Sequence, residues 1–406
     1  MRTVESLLAA TFIGGASALN NGAGLTPPMG WNPWNCYANS PGTNEAIVVA
    51  AARDMARYLA PSGYEYISLD CGYTTERRDS TGNLVVNATR YPHGMKWLGD
   101  QIHALGLKFG MYGATGYAQC CSGSENPLAE DGSGPGCNKL KANQTCRNET
   151  YYVQDATLWA SWGIDLLKFD GCGGPFSSVQ PMRDALNATG RTILYSVHQK
   201  VDEGLMTEDL ANMWRVGADI GASYEQFLSR AMISNTVNKY LPAAKGAWND
   251  PDMLQVGNIG GAKHVGPPSI DADAEGRTQF ALWCITKAPL LIGTFLTKMT
   301  APTLATLTNK AAIAVNQDAL AVQGVLRRDG GWVPNKPRPT TNPSYGFQVW
   351  SGALSSGGVA AVLANLNGTA QALTLTSADL PASRSADAAA AKWDIAEAFT
   401  GKALSA

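Results

Sequence analysis

The sequence predicts an α/β protein, a (β/α)8 TIM barrel followed by a C-terminal antiparallel β domain. Three observations predict it. Short apolar stretches alternate with stretches of helical spacing about eight times over residues 19–320. Several of the strand-like stretches end in an Asp, and catalytic residues of barrels lie at strand ends. Beyond about residue 322 the pattern changes to short alternating stretches rich in turn residues, which predict antiparallel strands.

Eight stretches predict the strands of the barrel. The clearest is 163–172, where a near-continuous apolar run ends at Asp170, as expected for a parallel strand that is buried on both faces. A carboxylate at such a strand end lies where the loops of a barrel leave a cleft. In chain order, the predicted strands lie at 28–32, 64–70, 108–113, 163–172, 192–196, 214–219, 246–250 and near Leu290.

Helices are predicted between these strands. The first lies at 44–59, where apolar residues such as Ile47, Ala51 and Met55 recur at helical spacing. The others lie at 95–105, 153–162, 180–187, 206–213, 223–240 and 277–284. The insertion at 117–150 is rich in Gly, Ser, Asn and Cys, so we expect a loop held by disulfides. In the C-terminal part, 345–350 and 359–365 predict antiparallel strands.

The amino terminus has the features of a signal peptide. Arg2 precedes the apolar stretch 7–18, which ends in Ala16-Ser17-Ala18, a small-x-small cleavage pattern. We therefore predict a signal peptide at 1–18, the barrel at 19–320, the β domain at 321–406, and a secreted protein. No later segment has about 18 uninterrupted apolar residues, so no membrane span is predicted.

Charge and cysteine content narrow the function. The chain has 31 Lys and Arg against 33 Asp and Glu, which gives no electrostatic attraction for nucleic acid or an anionic membrane. Its eight cysteines lack the paired C-x-x-C spacing of zinc sites, so disulfides are favoured over a metal, and Cys284 in an apolar run is expected to be a buried free thiol. N-glycans are expected at some of the five sequons, Asn87, Asn143, Asn148, Asn187 and Asn367.

Five acids at or just after predicted strand ends carry the candidate chemistry: Asp70, Asp170, Asp219, Asp250 and Asp252. Paired carboxylates are the working groups of glycoside hydrolysis. A metal hydrolase would need several His at strand ends, and a dinucleotide enzyme would need a Gly-rich turn after an early strand, and neither pattern is present. Taken singly, each Asp could be a helix N-cap. Five together favour a sugar-cleaving site without metal or cofactor.

Several segments resemble glycoside hydrolase family 27, of clan D, which contains α-galactosidases and α-N-acetylgalactosaminidases. The resemblance extends in order from about Leu19 to the end of the chain, and its most specific parts are the Lys-Phe-Asp and Trp-Asn-Asp-Pro-Asp-Met motifs. The segments are Pro28-Met-Gly-Trp-Asn, Tyr64-Glu-Tyr, Leu107-Lys-Phe-Gly-Met-Tyr, Asp165-Leu-Leu-Lys-Phe-Asp-Gly-Cys, Trp214-Arg and Trp248-Asn-Asp-Pro-Asp-Met-Leu.

The resemblance implies retaining hydrolysis of a terminal α-linked galactose in an oligosaccharide or glycoconjugate. By motif position, Asp170 corresponds to the nucleophile and Asp219 to the acid/base. In a retaining site the two carboxyl groups stand about 5 Å apart; one attacks the anomeric carbon and the other protonates the leaving oxygen. Lys168 would keep the nucleophile ionised and donate to a sugar hydroxyl, with a structural ion pair as the alternative.

The resemblance also implies binding residues and disulfides. Trp31 corresponds to an aromatic at the first strand end, with burial in the core as the alternative. The other implied sugar contacts are Asp70, Tyr112, Arg215 and Asp252. By the same comparison, Cys120 is implied to pair with Cys172, just past the nucleophile, and Cys36 with Cys71. These bridges would hold loops around the site.

The chain departs from the family at the sugar pocket. Many members have two adjacent Asp where this chain has Asp70-Cys71, and His198 stands where a Glu typically reads the 2-hydroxyl. The chain also stops at Ala406, where members usually continue into further strands, so the β domain is either abbreviated or incomplete. Three alternatives follow: an α-galactosidase, an enzyme for α-N-acetylgalactosaminides or β-L-arabinopyranosides, and a sugar-binding protein without turnover.

Overall fold

The computed structural model describes residues 19, 21–37, 43–75, 78–115, 120, 151–172, 176–198, 206–258, 274–330, 346–366, 370–382 and 394–404. The predicted signal peptide and almost all of the insertion at 117–150 lie outside the described residues, as do the sequons at Asn143, Asn148 and Asn367.

Eight parallel strands form one sheet that closes into a barrel. Their order is β7-β6-β5-β4-β3-β2-β1-β8, and the residues just after β7 complete the ring. The N–H of Leu254 donates to the carbonyl of Leu291, and the N–H of Gly293 donates to the carbonyl of Leu254, each at 2.8 Å. The strands are Met29–Trp31, Tyr66–Ser68, Lys108–Ala114, Leu166–Asp170, Leu194–His198, Met213–Arg215, Trp248–Asp250 and Leu290–Ile292, labelled β1 to β8. The predicted (β/α)8 barrel is confirmed.

The outer layer consists of helices connecting the strands. In chain order they are α1 (Trp34–Tyr37), α2 (Glu45–Asp54), α3 (Gly94–Ala104), α4 (Tyr152–Trp162), α5 (Val179–Ala188), α6 (Tyr224–Val237), α7 (Ala274–Ile285), α8 (Ala301–Leu307) and α9 (Lys310–Asn316). Helix α2 begins at Asn44, whose side chain accepts from the N–H of Ile47, and it continues as a π-helical turn over Met55–Leu59. Helix α4 ends at Gly163 with φ of 82°, a left-handed conformation that suits glycine.

Alternation along each strand separates two hydrophobic layers. Side chains such as Tyr66, Leu166, Leu194, Met213, Trp248 and Leu291 pack together in one cluster inside the barrel. Leu167 and Phe169 belong to the second cluster, between the sheet and the helices. Because Lys168 and Asp170 have the same parity as Leu166, β4 carries them on the interior face, directly above the packed core.

One predicted helix is absent. Residues 207–212, which we expected in a helix at 206–213, form a turn that leads directly into β6. The Thr207 hydroxyl donates to the Asp209 carboxylate at 2.5 Å, a local bond that competes with helix formation. The amide of Asn212 is fully buried and accepts from the N–H of Tyr195 at 2.9 Å. The helix predicted at 206–213 from apolar spacing over this short stretch is therefore wrong.

A separate antiparallel sheet follows the barrel, as predicted. Its three strands lie in the order β11-β10-β9 and are Val325–Asp329, Phe347–Ala353 and Val359–Asn365 for β9 to β11. The sequence did not predict β9, whose two consecutive arginines break the apolar pattern. A short hairpin of β12 (Ile395–Ala396) and β13 (Ala403–Leu404) lies further along the chain. Among the described residues, we find no helix long and apolar enough to cross a membrane.

Candidate active site

The predicted site residues meet at the carboxyl ends of neighbouring strands. In the parallel register, Asp170 at the end of β4 lies beside Ala114 of β3 and His198 of β5. Arg215 at the end of β6 lies beside Asp250 at the end of β7. Because all strands of the barrel run the same way, their polar ends collect at one face.

Asp170 is held by its own loop and by the neighbouring strand. Its Oδ2 accepts from the Tyr112 hydroxyl at 2.9 Å, and its Oδ1 accepts from the N–H of Gly171 at 2.9 Å. Burial raises the pKa of Asp170, Lys168 opposes this effect, and Asp70 adds to it. Both oxygens thus accept hydrogen bonds that fix the direction in which the carboxylate points.

Lys168 forms a buried ion pair with Asp70. Its Nζ lies 2.7 Å from Asp70 Oδ2, and this oxygen also accepts from Asn32 Nδ2 at 3.0 Å. Burial disfavours the charge of Lys168, but Asp70 and Asp170 outweigh it and raise its pKa. Lys168 is therefore a cation among carboxylates, paired with Asp70 and acting on Asp170 through its field.

A second charged cluster surrounds Arg215. Its Nη2 lies 3.0 Å from Asp219 Oδ1 and 2.8 Å from Asp252 Oδ2. The Arg215 and Asp252 side chains are buried, whereas the side chain of Asp219 is 55% exposed. Asp252 has a φ of 80°, which is uncommon for a residue other than Gly and is typical of residues held in place at functional sites.

His198 occupies the wall between these two clusters and is neutral. Burial lowers its pKa well below the usual value, and the positive charges of Lys168 and Arg215 lower it further. Arg215 Nη1 lies 3.2 Å from Nδ1, so Nδ1 accepts and Nε2 carries the proton toward Ser196 Oγ at 3.0 Å. Neutral His198 is thus buried beside Arg215, and its Nε2 also lies 3.7 Å from Asp250 Oδ2.

Trp31 is completely buried. Its indole N–H donates to the carbonyl of Thr294 at 2.9 Å, which anchors β1 to the segment after β8. This environment agrees with the core alternative, and a direct contact of Trp31 with a sugar stays a prediction. Trp34 lies near the charged groups, since Lys168 Nζ is 6.0 Å from the centre of its ring.

One disulfide prediction is confirmed and the other is wrong. Cys120 and Cys172 are joined, and Tyr112 accepts from the N–H of Cys120 at 3.2 Å, so the bridge holds the loop beside Asp170. Cys36 is a buried free thiol and does not pair with Cys71, which is half of another disulfide. Cys36 lies in α1, where its Sγ is directed at the carbonyl of Pro33, 3.4 Å away. The prediction of Cys284 as a buried free thiol is confirmed.

Two site residues were not assigned a catalytic or sugar-binding role from the family resemblance. Asn32 supplies a hydrogen bond to Asp70, and its signal was the polar end of the first predicted strand. Asp250 was recognised only as a strand-end acid. It is buried, its Oδ1 accepts from the N–H of Asp252 at 2.8 Å, and burial raises its pKa to about 6 although Arg215 opposes this shift.

Two other features do not provide a competing site. Among the described residues, Cys120, Asp170 and Cys172 have ligand-type atoms close enough for a metal ion, but the two sulfurs are bonded to each other and offer no thiolate. A cavity of about 400 Å³ lies at the opposite end of the barrel, beside the amino ends of β1 to β3. Its ionisable groups form ion pairs, Lys108 with Glu65 and Asp165 with Arg191.

Comparisons with known proteins agree with this geometry. The sequence matches the family described as Alpha galactosidase A (Melibiase_2) over residues 26–131 and 138–318. It is 37% identical to Alpha-galactosidase 3 of Arabidopsis thaliana, over 89% of this chain and 73% of that protein, and 35% identical to the Alpha-galactosidase of Cyamopsis tetragonoloba, over 89% and 77%. The solved α-galactosidase (MEL1) of Saccharomyces cerevisiae superimposes with a TM-score of 0.69 at 26% identity, over 86% of this chain and 75% of that one. The chain is a glycoside hydrolase and belongs to the family 27 α-galactosidases.

Proposed function

We propose that this protein hydrolyses terminal α-D-galactosyl residues of oligosaccharides or glycoconjugates by double displacement, with retention of configuration. The observation that carries the proposal is the contrast between two carboxylates in an α-galactosidase fold. Asp170 is held by two hydrogen bonds beside a lysine, whereas the carboxyl group of Asp219 is exposed. Two acids in different environments suit two different roles.

In the proposed first step, Asp170 attacks the anomeric carbon while Asp219 protonates the glycosidic oxygen, and the bond to the leaving group breaks. In the second step Asp219, now ionised, removes a proton from water, which attacks the same carbon and releases Asp170. Lys168 stabilises the ionised form of Asp170 through its positive charge. These residues supply the nucleophile and both proton transfers.

The remaining charged groups suit a neutral sugar. Asp70 and Asp252 can accept from hydroxyl pairs, and Lys168 and Arg215 can donate to ring-substituent oxygens. Each is also paired with a neighbour, Lys168 with Asp70 and Arg215 with Asp252, so their charges are balanced before a sugar binds. Balanced charge avoids the cost of burying an isolated ion when water leaves the pocket.

The substrate is tested by comparing three chromogenic glycosides with the purified protein. We expect the α-D-galactoside to have the highest kcat/KM, above those of the α-N-acetylgalactosaminide and the β-L-arabinopyranoside. Proton NMR should show the α-anomer of galactose first, as retention requires. Faster hydrolysis of the α-N-acetylgalactosaminide or of the β-L-arabinopyranoside would instead indicate the changed sugar specificity that His198 suggested. Binding of galactose without turnover of any substrate would favour a sugar-binding protein.

Lys168→Met is expected to move the acid limb of the kcat/KM profile to higher pH. Lys168 lowers the pKa of Asp170, so the loss of Lys168 raises that pKa. Because the nucleophile reacts only when ionised, activity then begins to fall at a higher pH as the solution is made more acidic. Lys108→Met is the control, since Lys108 pairs with Glu65 at the other end of the barrel. An unchanged limb in active Lys168→Met protein would contradict the proposed role.

We further propose that the protein is secreted and glycosylated, on the basis of the sequence of residues 1–18 and the five sequons. Asn187 lies on the exposed side of α5, where a glycan can be attached without disturbing the core. After expression in a eukaryotic host, we expect the protein in the medium with Leu19 at its amino terminus. Asn187→Gln should remove one glycan from the mass, and a retained 1–18 segment in cell extracts would refute secretion.

A further inference from the structure

The loop that carries Asp219 is held by side chains rather than by a helix or a strand. It lies between the end of β6 at Arg215 and the start of α6 at Tyr224. Four consecutive carbonyl groups of this loop accept hydrogen bonds from side chains. Gly217 accepts from Arg215 Nη2 at 3.2 Å, Ala218 from Arg230 Nε at 2.6 Å, Asp219 from Arg230 Nη2 at 3.1 Å, and Ile220 from Asn35 Nδ2 at 2.7 Å.

Ile220, the residue after Asp219, is held by hydrogen bonds at both its backbone N–H and its carbonyl group. The N–H of Ile220 donates to Asp252 Oδ2 at 2.7 Å, and its carbonyl accepts from Asn35. Ile220 is fully buried and Asn35 is 1% exposed, so water cannot replace these bonds. A buried carbonyl that loses its donor remains unpaired, which is unfavourable and forces the loop to move.

We infer that Asn35 and Arg230 are positioning residues that set the place of the Asp219 carboxyl group. The inference rests on the proposed role of Asp219 as acid/base. Asn35 comes from α1, just after β1, and Arg230 comes from α6, so the loop is tied to two separate parts of the barrel. The carboxyl group is exposed and accepts from Arg215 Nη2 at 3.0 Å, so the backbone that carries it sets its place together with Arg215.

Position matters most for proton transfer. A general acid acts only within hydrogen-bond reach of the oxygen that it protonates, and a displacement of about 1 Å can lower the rate about 100-fold. Protonation is needed for a poor leaving group and is nearly dispensable for a good one. A displaced acid therefore slows substrates in proportion to the basicity of their leaving group, whereas general loss of stability slows all substrates alike.

The test uses aryl α-galactosides whose leaving groups range from 2,4-dinitrophenol to phenol. For Asn35→Ala and for Arg230→Ala, we expect kcat/KM to fall about 10- to 100-fold with phenol as leaving group and less than about threefold with 2,4-dinitrophenol. The plot of log kcat/KM against leaving-group pKa should become steeper. Arg230→Lys should give a smaller change than Arg230→Ala but not wild-type behaviour, because an ammonium can still donate to a carbonyl although it does not match the guanidinium fork across two.

Two control variants remove similar bonds elsewhere. The guanidinium of Arg191 also donates to two consecutive carbonyls, those of Gly163 and Ile164, at the opposite end of β4. The buried amide of Asn316 donates to the carbonyls of Trp283 and Ala288. Arg191→Ala and Asn316→Ala should keep the wild-type slope. If Asn35→Ala fails to fold, Arg230→Ala, whose side chain is only half-buried, still tests the inference.

Asp219→Ala separates failure of this inference from failure of the proposed function. A steeper slope in Asp219→Ala with wild-type slopes in folded Asn35→Ala and Arg230→Ala would overturn the positioning role and leave Asp219 as the acid/base. A wild-type slope in Asp219→Ala would remove the acid/base assignment and the positioning role with it. Steeper slopes in all three variants, with unchanged slopes in both controls, would support the inference.

Discussion

Asp170→Asn is expected to abolish hydrolysis of the α-galactoside, with a loss of kcat on the order of 10⁴-fold or more, as for removal of the nucleophile in other covalent mechanisms. The amide is close in shape and can keep the hydrogen bond with Tyr112, but it carries no charge with which to attack the anomeric carbon. Circular dichroism should be unchanged. The measurement is the initial rate at the pH of highest wild-type activity.

The nucleophile is identified with the smaller variant Asp170→Gly. Azide added at high concentration can occupy the space of the missing carboxylate and should restore turnover of an activated aryl galactoside, giving the β-galactosyl azide. Asp184→Asn is the control, because Asp184 is an exposed partner of Arg183 on α5. Wild-type activity in Asp170→Asn would refute the mechanism.

Asp155→Ala is expected to lower the free energy of unfolding by about 3–5 kcal/mol, since it leaves a buried arginine without its counter-ion. Asp155 in α4 binds the Arg78 guanidinium through both oxygens, at 2.6 and 2.7 Å, and its side chain is fully buried. Arg78 also stacks 4.1 Å from the ring centre of Tyr151, just before α4. The pair thus connects the segment after β2 to the helix that precedes β4, and urea denaturation at pH 7 measures its loss.

Asp100→Ala is the matched control for this ion pair. Asp100 pairs with Lys96 on the exposed side of α3, and such surface pairs contribute at most about 0.5 kcal/mol. An equally small effect of Asp155→Ala would contradict the importance of the buried pair. The comparison keeps the substitution constant and contrasts a buried ion pair with an exposed one.

The buried pair also has a pH signature. Burial raises the pKa of Asp155 to about 6, an effect that Arg78 opposes without cancelling. With an unfolded pKa of about 3.9, Asp155 binds more protons when folded, so the proton-linked part of its contribution to stability is complete below about pH 4 and is lost as pH rises through about 6. The contacts of Asp155 with Arg78 are separate from this part and are what the denaturation at pH 7 measures. This part of the pH dependence should disappear in Asp155→Ala. An identical profile in both proteins would count against the raised pKa.

Strand β4 shows how much of the site local pattern could predict. Its apolar run predicted a buried parallel strand, and parallel strands in a barrel present their carboxyl ends at one face, so Asp170 and the acids of other strands were expected together. The register confirms that Asp170 lies beside His198 and Arg215 beside Asp250. The motifs around these strands also led to the correct family.

Contacts between distant parts of the chain could not be predicted in this way. The sequence places Lys168 two residues from Asp170, yet its ion-pair partner is Asp70, 98 positions away. The family resemblance implied that Cys36 pairs with Cys71, but Cys36 is a free thiol whose Sγ is directed at the carbonyl of Pro33, and Cys71 belongs to another disulfide. The turn at 207–212 replaced a predicted helix for a similar reason, since Asn212 at its end is held by a bond from the N–H of Tyr195 in β5.

By itself, the sequence determined the barrel, the order of its strands along the chain and the acids at their ends, because periodicity and strand-end polarity are local properties that each stretch carries alone. Only the tertiary structure decided which charges pair, which cysteines remain free and how the loop of Asp219 is held. Those outcomes depend on distances between β1, β2, β4 and β6, which the closure of the barrel sets and which no single stretch encodes.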